Sequence, residues 1–226
     1  MLFCCLSLTL MAFAQASGGQ IRRPNRVQPN ERSSRPHNTT LNRINNHEYV
    51  DLGLSVKWAT CNVGANSPED YGLYFVWGET SPRTDYGSVS QDSIRRDIGN
   101  NISGSAYDAA NANWGGNWRM PTRYDVQELI DNCKWKEEYY KGINGYRVTG
   151  PNKKSIFIPS AGYYSGSIKL NGYFRIWTSS AEIRQNGSVW PYHLHVENSN
   201  NPNTSVHPHL IRESSTVGMC IRPVIN

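Results

Sequence analysis

Residues 17–226 contain no apolar run long enough to cross a bilayer as a helix. They contain no Cys-x-x-Cys, which leaves a thioredoxin-type centre or a zinc ribbon without a basis. A Gly-x-Ser-x-Gly elbow, a phosphate-cradling glycine loop and a His-Glu-x-x-His helix are all missing. The familiar signatures of α/β-hydrolases, nucleotide-binding enzymes and zinc peptidases are thereby absent. Leucine is scarce, while the chain carries 13 Tyr, 7 Trp and 19 Gly. Aromatic residues suit a half-buried pleated surface and glycine suits tight turns, so the composition predicts short strands with many connections.

Excess charge of one sign is missing from most of the chain as well. Of the 23 Lys and Arg, six (Arg22, Arg23, Arg26, Arg32, Arg35 and Arg43) lie in residues 17–43, with Glu31 the sole acid there. That leaves 17 of the 23 basic residues and 17 of the 18 acidic ones for residues 44–226, a neutral balance. A nucleic-acid-binding domain carries its basic excess on the folded face, so nucleic acid is not an expected partner. Residues 17–43 are rich in Arg, Asn, Pro and Ser and read as a disordered tether.

Residues 1–16 hold no charged side chain. The apolar run from Leu2 to Met11 is followed by Ala12-Phe13-Ala14 and Ala14-Gln15-Ala16, small-x-small cleavage sites. This layout predicts a signal peptide and export to the periplasm, the outer membrane or the exterior. Residues 44–226 are expected to form a single domain. An oxidising compartment permits a disulfide, and Cys61, Cys133 and Cys220 follow the signal. Cys61 ends a strand-like run and Cys133 ends a helix, so those two are the candidate pair. Three buried, inert thiols are the alternative.

That helix is the clearest element. Thr122 is a cap, Asp125 completes an approximate capping box, and Val126, Leu129, Ile130 and Cys133 form one apolar stripe over about 122–133. A shorter helix is expected over 106–112, and residues 79–105 read as a long surface excursion. Asn144-Gly145, Asn171-Gly172 and Asn186-Gly187 each precede a strand-like run and read as type I′ hairpin turns. Val217–Val224 reads as a closing strand.

His193-x-His195 and His207-x-His209 are two pairs at strand spacing, each placing both rings on one face. Trp190, Tyr192, Leu194 and Val196 alternate with the first pair, which turns the histidines outward if the apolar set turns inward. If the two segments pair as a hairpin, His193, His195, His207 and His209 could converge on a zinc or copper ion. No other cofactor is expected.

Several segments in order carry a resemblance. They are Trp58-Ala59-Thr60-Cys61-Asn62-Val63-Gly64, Trp114-Gly115-Gly116-Asn117-Trp118-Arg119-Met120-Pro121-Thr122, Ser155–Gly162, Trp177-Thr178-Ser179-Ser180 and Val217–Val224. Together they resemble the Fibrobacter succinogenes major paralogous domain family, over about residues 48–225. More distantly, Trp-Arg-Met-Pro-Thr before a helix is similar to formylglycine-generating enzymes and C-type-lectin-like folds. The resemblance implies a compact α+β, C-type-lectin-like domain with short, mostly antiparallel strands, one clear helix and long irregular loops. The copper-binding cysteine pair of the formylglycine-generating enzymes has no counterpart, since Cys220 stands alone near the C-terminus. Gln28-Pro29-Asn30 resembles a calcium-lectin motif but lies in the tether, and Trp-Asn-Asp is missing, so no calcium-dependent sugar site is expected.

Export, tether and aromatic surplus lead to one functional expectation: a non-enzymatic binding module for a glycan or a surface protein. Aromatic faces stack on sugar rings and anchor interfaces. The candidate contacts are Trp77, Tyr86, Tyr163, Tyr164 and Trp190. A structural or accessory subunit of a surface appendage or envelope complex is the alternative, and an unrecognised enzyme ranks last. Asp92-Ser93-Ile94 fits an Asp-Ser/Thr-aliphatic pattern of O-glycosylation.

Overall fold

The segment Trp118–Met120 is tied from three sides. The buried Trp118 indole donates to the carbonyl of Ile44 at 3.0 Å. Arg119 exchanges two backbone bonds with Val224, at 3.1 and 2.9 Å. The Met120 amide donates to the Asp108 carboxylate at 2.9 Å. The computed structural model describes residues 42–90, 97–197 and 206–226. Residues 1–16, expected to be a signal, the expected tether up to residue 41 and the Asp92-Ser93-Ile94 motif lie outside the described residues, while the last two tether residues, Asn42 and Arg43, belong to a strand.

The chain opens with β1 (Asn42–Ile44), β2 (His47–Val50) and β3 (Lys57–Ala59), then β4 (Phe75–Val76). Two helices follow, α1 (Ala109–Trp114) and α2 (Arg123–Asn132). Next come β5 (Lys134–Tyr140), β6 (Ile143–Thr149) and β7 (Ser155–Pro159), which form a three-stranded sheet. β8 (Tyr163–Ser165) and β9 (Ile168–Leu170) precede a second three-stranded sheet of β10 (Phe174–Ile183), β11 (Val189–Val196) and β12 (Pro208–Arg212). β13 (Gly218–Met219) inserts between β4 and β8, and β14 (Val224–Ile225) pairs with β3. The described residues therefore combine two helices with mostly antiparallel strands in four small sheets, a mixed content compatible with the α+β class. No helix among them is long and apolar enough to cross a membrane.

α2 forms where its sequence signals place it. Thr122 accepts from the Asp125 amide, and the Asp125 side chain accepts from the Thr122 amide at 2.7 Å, a complete capping box. Val126 and Leu129 bury the apolar stripe. Asp125 turns inward rather than joining the solvent face, because it also takes the Arg119 guanidinium at 2.7 Å. α1 starts later than expected, at Ala109, because Asp108 is its cap.

The Asn-Gly turns need correction. Asn144-Gly145 lies inside β6, and the two-residue turn is Lys141-Gly142, with φ 47° and 89° as a type I′ turn requires. Gly145 is glycine for another reason: an added Cβ would lie 2.4 Å from the Ile158 carbonyl oxygen. Asn171-Gly172 links β9 and β10, which do not pair. Asn186-Gly187 does close the β10–β11 hairpin, but only Gly187 has positive φ. The Gly187 amide donates to the Arg184 carbonyl and the Arg184 amide to the Ser188 carbonyl, a longer turn ending in a glycine.

The expected closing strand splits into β13 and β14, which serve different sheets. Between them Arg222 is fully buried. It donates to the Asn62 side chain at 2.9 Å, to the Ala59 carbonyl at 3.1 Å and to the Thr60 carbonyl. The 79–105 excursion is anchored inward by Tyr86 and Ile102, both buried.

Candidate functional site

The sheet β10–β11–β12 carries most of the candidate chemistry, and its two faces differ. Side chains alternate across a strand, and residues opposite one another in a ladder share a face. Arg175, His195 and His209 stand opposite one another across the three strands, and Trp177, His193 and Ile211 form the neighbouring row. The rings make a continuous edge-to-face series. Trp177 and His193 are 5.9 Å apart, His193 and His195 5.9 Å, and His195 and His209 5.1 Å.

The series runs from the interior towards the surface. His193 is fully buried, and neither of its ring nitrogens has a hydrogen-bond partner. His195 and His209 are half-buried, and His209 donates from Nδ1 to the His207 carbonyl at 3.2 Å. Burial, and then the Arg175 charge, hold His193 down at about 2 and His195 at about 4. Both rings are therefore neutral at any physiological pH. Arg175 itself donates to Glu213 at 2.6 Å and lies 3.9 Å from the centre of the Tyr163 ring.

The two histidine segments do pair, β11 against β12, but the four-imidazole centre that such a pairing would allow is not formed. His207 precedes β12 and lies exposed, because the strand begins at Pro208. His193 and His195 face the sheet's inner side rather than solvent. Leu194 and Val196 are buried on the opposite face too, so the C-terminal end of this strand is covered on both sides. Among the described residues no group of three or more His, Cys, Asp or Glu is placed to hold a metal ion.

The second face carries a ladder of aromatic rings and guanidinium groups. Its sequence is Tyr124, Arg123, Tyr192, Arg212, Trp190 and Arg184. Arg123 lies 4.7 Å from the Tyr124 ring centre and 5.5 Å from that of Tyr192. Tyr192 is the ladder partner of Arg212, and Trp190 that of Glu182. Arg184 lies 3.9 Å from the Trp190 ring centre, and the Trp190 indole donates to Ser188 at 3.1 Å. Glu182 pairs with Arg212 and approaches Arg184 at 3.8 Å. Trp190, Tyr192, Leu210, Ile211, Arg184 and Arg212 line an open cleft of about 510 Å³.

The sequence-predicted aromatics divide accordingly. Trp77 and Tyr86 are 1% and 4% exposed and leave the candidate set as core residues. Their polar atoms are spent internally, on the Thr178 carbonyl at 2.9 Å and the Tyr74 carbonyl at 2.6 Å. Tyr164 is half-buried and stacks on Tyr86 at 4.6 Å, with Lys169 on its surroundings at 6.0 Å. Tyr163 is half-buried under Arg175. Trp190 alone of the five opens onto the cleft.

The Cys61–Cys133 pair is not formed: Cys61, Cys133 and Cys220 are all free. The two thiols belong to separate parts of the fold. Cys61 follows β3 with its Sγ 3.6 Å from Thr60 Oγ1, whereas Cys133 is the C-cap of α2. Burial pushes Cys133 up to about 11 and Cys220 up to about 12, so neither supplies thiolate near neutral pH.

Sequence reasoning missed Arg123, Arg184, Arg212, Tyr124 and Tyr192. One signal was present: Arg184 and Trp190 flank Asn186-Gly187, and a hairpin there brings them together. The other arginines arrive through α2 and β12, which no local spacing reveals. No family model, curated protein or solved structure matches the chain.

Proposed function

We propose that this protein is an exported, non-enzymatic binding module on a C-type-lectin-like scaffold of the paralogous-domain type, with a glycan as its ligand. The observation that carries the reading is the aromatic–guanidinium ladder along the cleft at Trp190 and Tyr192. Trp, Tyr and Arg dominate recognition surfaces because they offer large rigid contact area together with directed donors.

The purified protein, freed of calcium by chelation, tests this on an array of host-mucin, bacterial and plant glycans. Saturable binding is expected without added calcium. A blank array together with recovery of a protein partner in pull-downs would move the assignment from glycan to surface protein.

A further inference from the structure

The ladder also bears on the chemistry of the ligand. Trp190 and Tyr192, the aromatic side chains lining the cleft, each already have a guanidinium over the ring: Arg184 on Trp190 and Arg123 on Tyr192. A neutral sugar stacking on those faces must displace a cation held by its attraction to the ring. The guanidinium groups are better placed as the recognising groups, with the rings as their platforms.

Three features support that assignment. First, stacking fixes the plane of an arginine and lowers the entropy lost when its N–H edge meets a carboxylate or sulfate. Second, Arg184 is under-used. Among the described residues its nearest carboxylate oxygen is that of Glu182 at 3.8 Å, beyond hydrogen-bond distance, and its side chain is 44% exposed. Third, Arg184 and Arg212 share one carboxylate, Glu182, which leaves a local positive excess on a domain that is neutral as a whole. Glu182 pairs with Arg212 and lies 3.8 Å from Arg184, so the two guanidinium groups flank one carboxylate.

We infer that the cleft reads an anionic saccharide, a uronate- or sulfate-bearing glycan whose acidic groups bond Arg184 and Arg212. This rests on the glycan-binding reading above and narrows it. An extended acidic peptide fits less well. The ladder lies on the face of β10–β11–β12 rather than along an edge, and β11, which carries Trp190 and Tyr192, has its backbone paired on both sides, so an extended peptide laid over those rings gains no main-chain pairing from β11.

The test titrates the purified protein with oligogalacturonate, with a sulfated chondroitin oligosaccharide, and with the same oligogalacturonate after reduction of its carboxyl groups. At least one acidic probe binds, and the carboxyl-reduced probe binds about tenfold more weakly or less, as expected for one lost charge-assisted bond. Arg184→Gln and Arg212→Gln each weaken acid binding by a similar factor, while Arg184→Lys retains part of it. Glu182→Gln strengthens it, because the internal competitor is gone. Unchanged melting of each variant excludes misfolding, since all three side chains are at the surface. Equal affinity for the reduced probe, or a neutral glycan bound while both acidic probes fail, overturns the inference and leaves the glycan reading standing. Tighter binding of a poly-glutamate peptide with the same arginine dependence overturns it in favour of an acidic polypeptide. Failure of every saccharide overturns both.

Discussion

Arg175 and His195 are ladder partners on β10 and β11, so a permanent cation stands opposite a half-buried imidazole. The remaining charges around this row are few. Glu213 takes Arg175, Glu197 follows β11, and His193 and His209 flank His195.

The histidine row makes stability depend on pH in a definite direction. The folded-state values are depressed, to about 2 for His193 and about 4 for His195, against 6.5 unfolded. Below pH 6.5 the unfolded chain binds protons that the folded chain refuses, so stability is complete above that pH and falls as pH decreases. Each ring contributes a slope of up to about 1.4 kcal/mol per pH unit, His195 down to about pH 4 and His193 further. Asp108, raised by burial, works in the opposite sense, so the useful quantity is a difference between variants. Denaturation of wild type and His193→Phe between pH 4.5 and 7.5 should show a shallower slope in the variant. Identical slopes would contradict the assignment.

Asp108 is predicted to be a principal folding determinant. Its buried carboxylate accepts from the amides of Gly104, Ala110, Asn111 and Met120. Asp108→Ala should cost about 3 kcal/mol, combining a lost cap with buried amides left unpaired. Asp108→Asn retains an acceptor oxygen and should cost less. Urea unfolding measures both, and a loss below about 1 kcal/mol for the alanine variant would count against this role.

Arg222 is buried without a carboxylate among its hydrogen-bond partners, and its Nη2 has none. It is held instead by the turn Ala59–Asn62, whose carbonyls it satisfies. Arg222→Ala removes volume and orphans those carbonyls, for an expected loss of about 3–5 kcal/mol, while Arg222→Met refills the space and should lose less. Equal losses would show that packing contributes little at this position.

Three free thiols give a chemical prediction. After denaturation, Cys61, Cys133 and Cys220 should all alkylate without prior reduction. In the native state at pH 8, Cys220 should resist, being buried and pushed up to about 12. Mass spectrometry of the labelled peptides decides it, and an unlabelled Cys61–Cys133 cross-link would reinstate the disulfide.

What the sequence revealed about the fold was local. The capping signal Thr122–Asp125 and the apolar stripe of α2 lie within one turn or two, and the structure reproduces them. The period-two pattern of the two histidine segments raised their pairing as a condition, and β11 and β12 do pair. What failed depended on distant contacts. Asn144-Gly145 carries a strong turn signal, yet the β5–β6 register puts it inside a strand against β7. Trp77 and Tyr86 read as surface aromatics because nothing in their neighbourhood shows the carbonyls of Thr178 and Tyr74 that receive them. The candidate cleft was legible only through Trp190, since the guanidinium groups that define it come from α2, β12 and the β10–β11 turn.

The most direct test of the central claim watches Trp190 itself. Its indole N–H is bonded to Ser188 in a hairpin beside the cleft, whereas those of Trp58, Trp77, Trp118 and Trp177 belong to fully buried rings. Two-dimensional NMR of the tryptophan indoles, recorded while the best array glycan is added, should show the Trp190 signal shifting saturably and the four buried signals unmoved. A bound glycan that leaves Trp190 unchanged would place the ligand elsewhere and contradict the account.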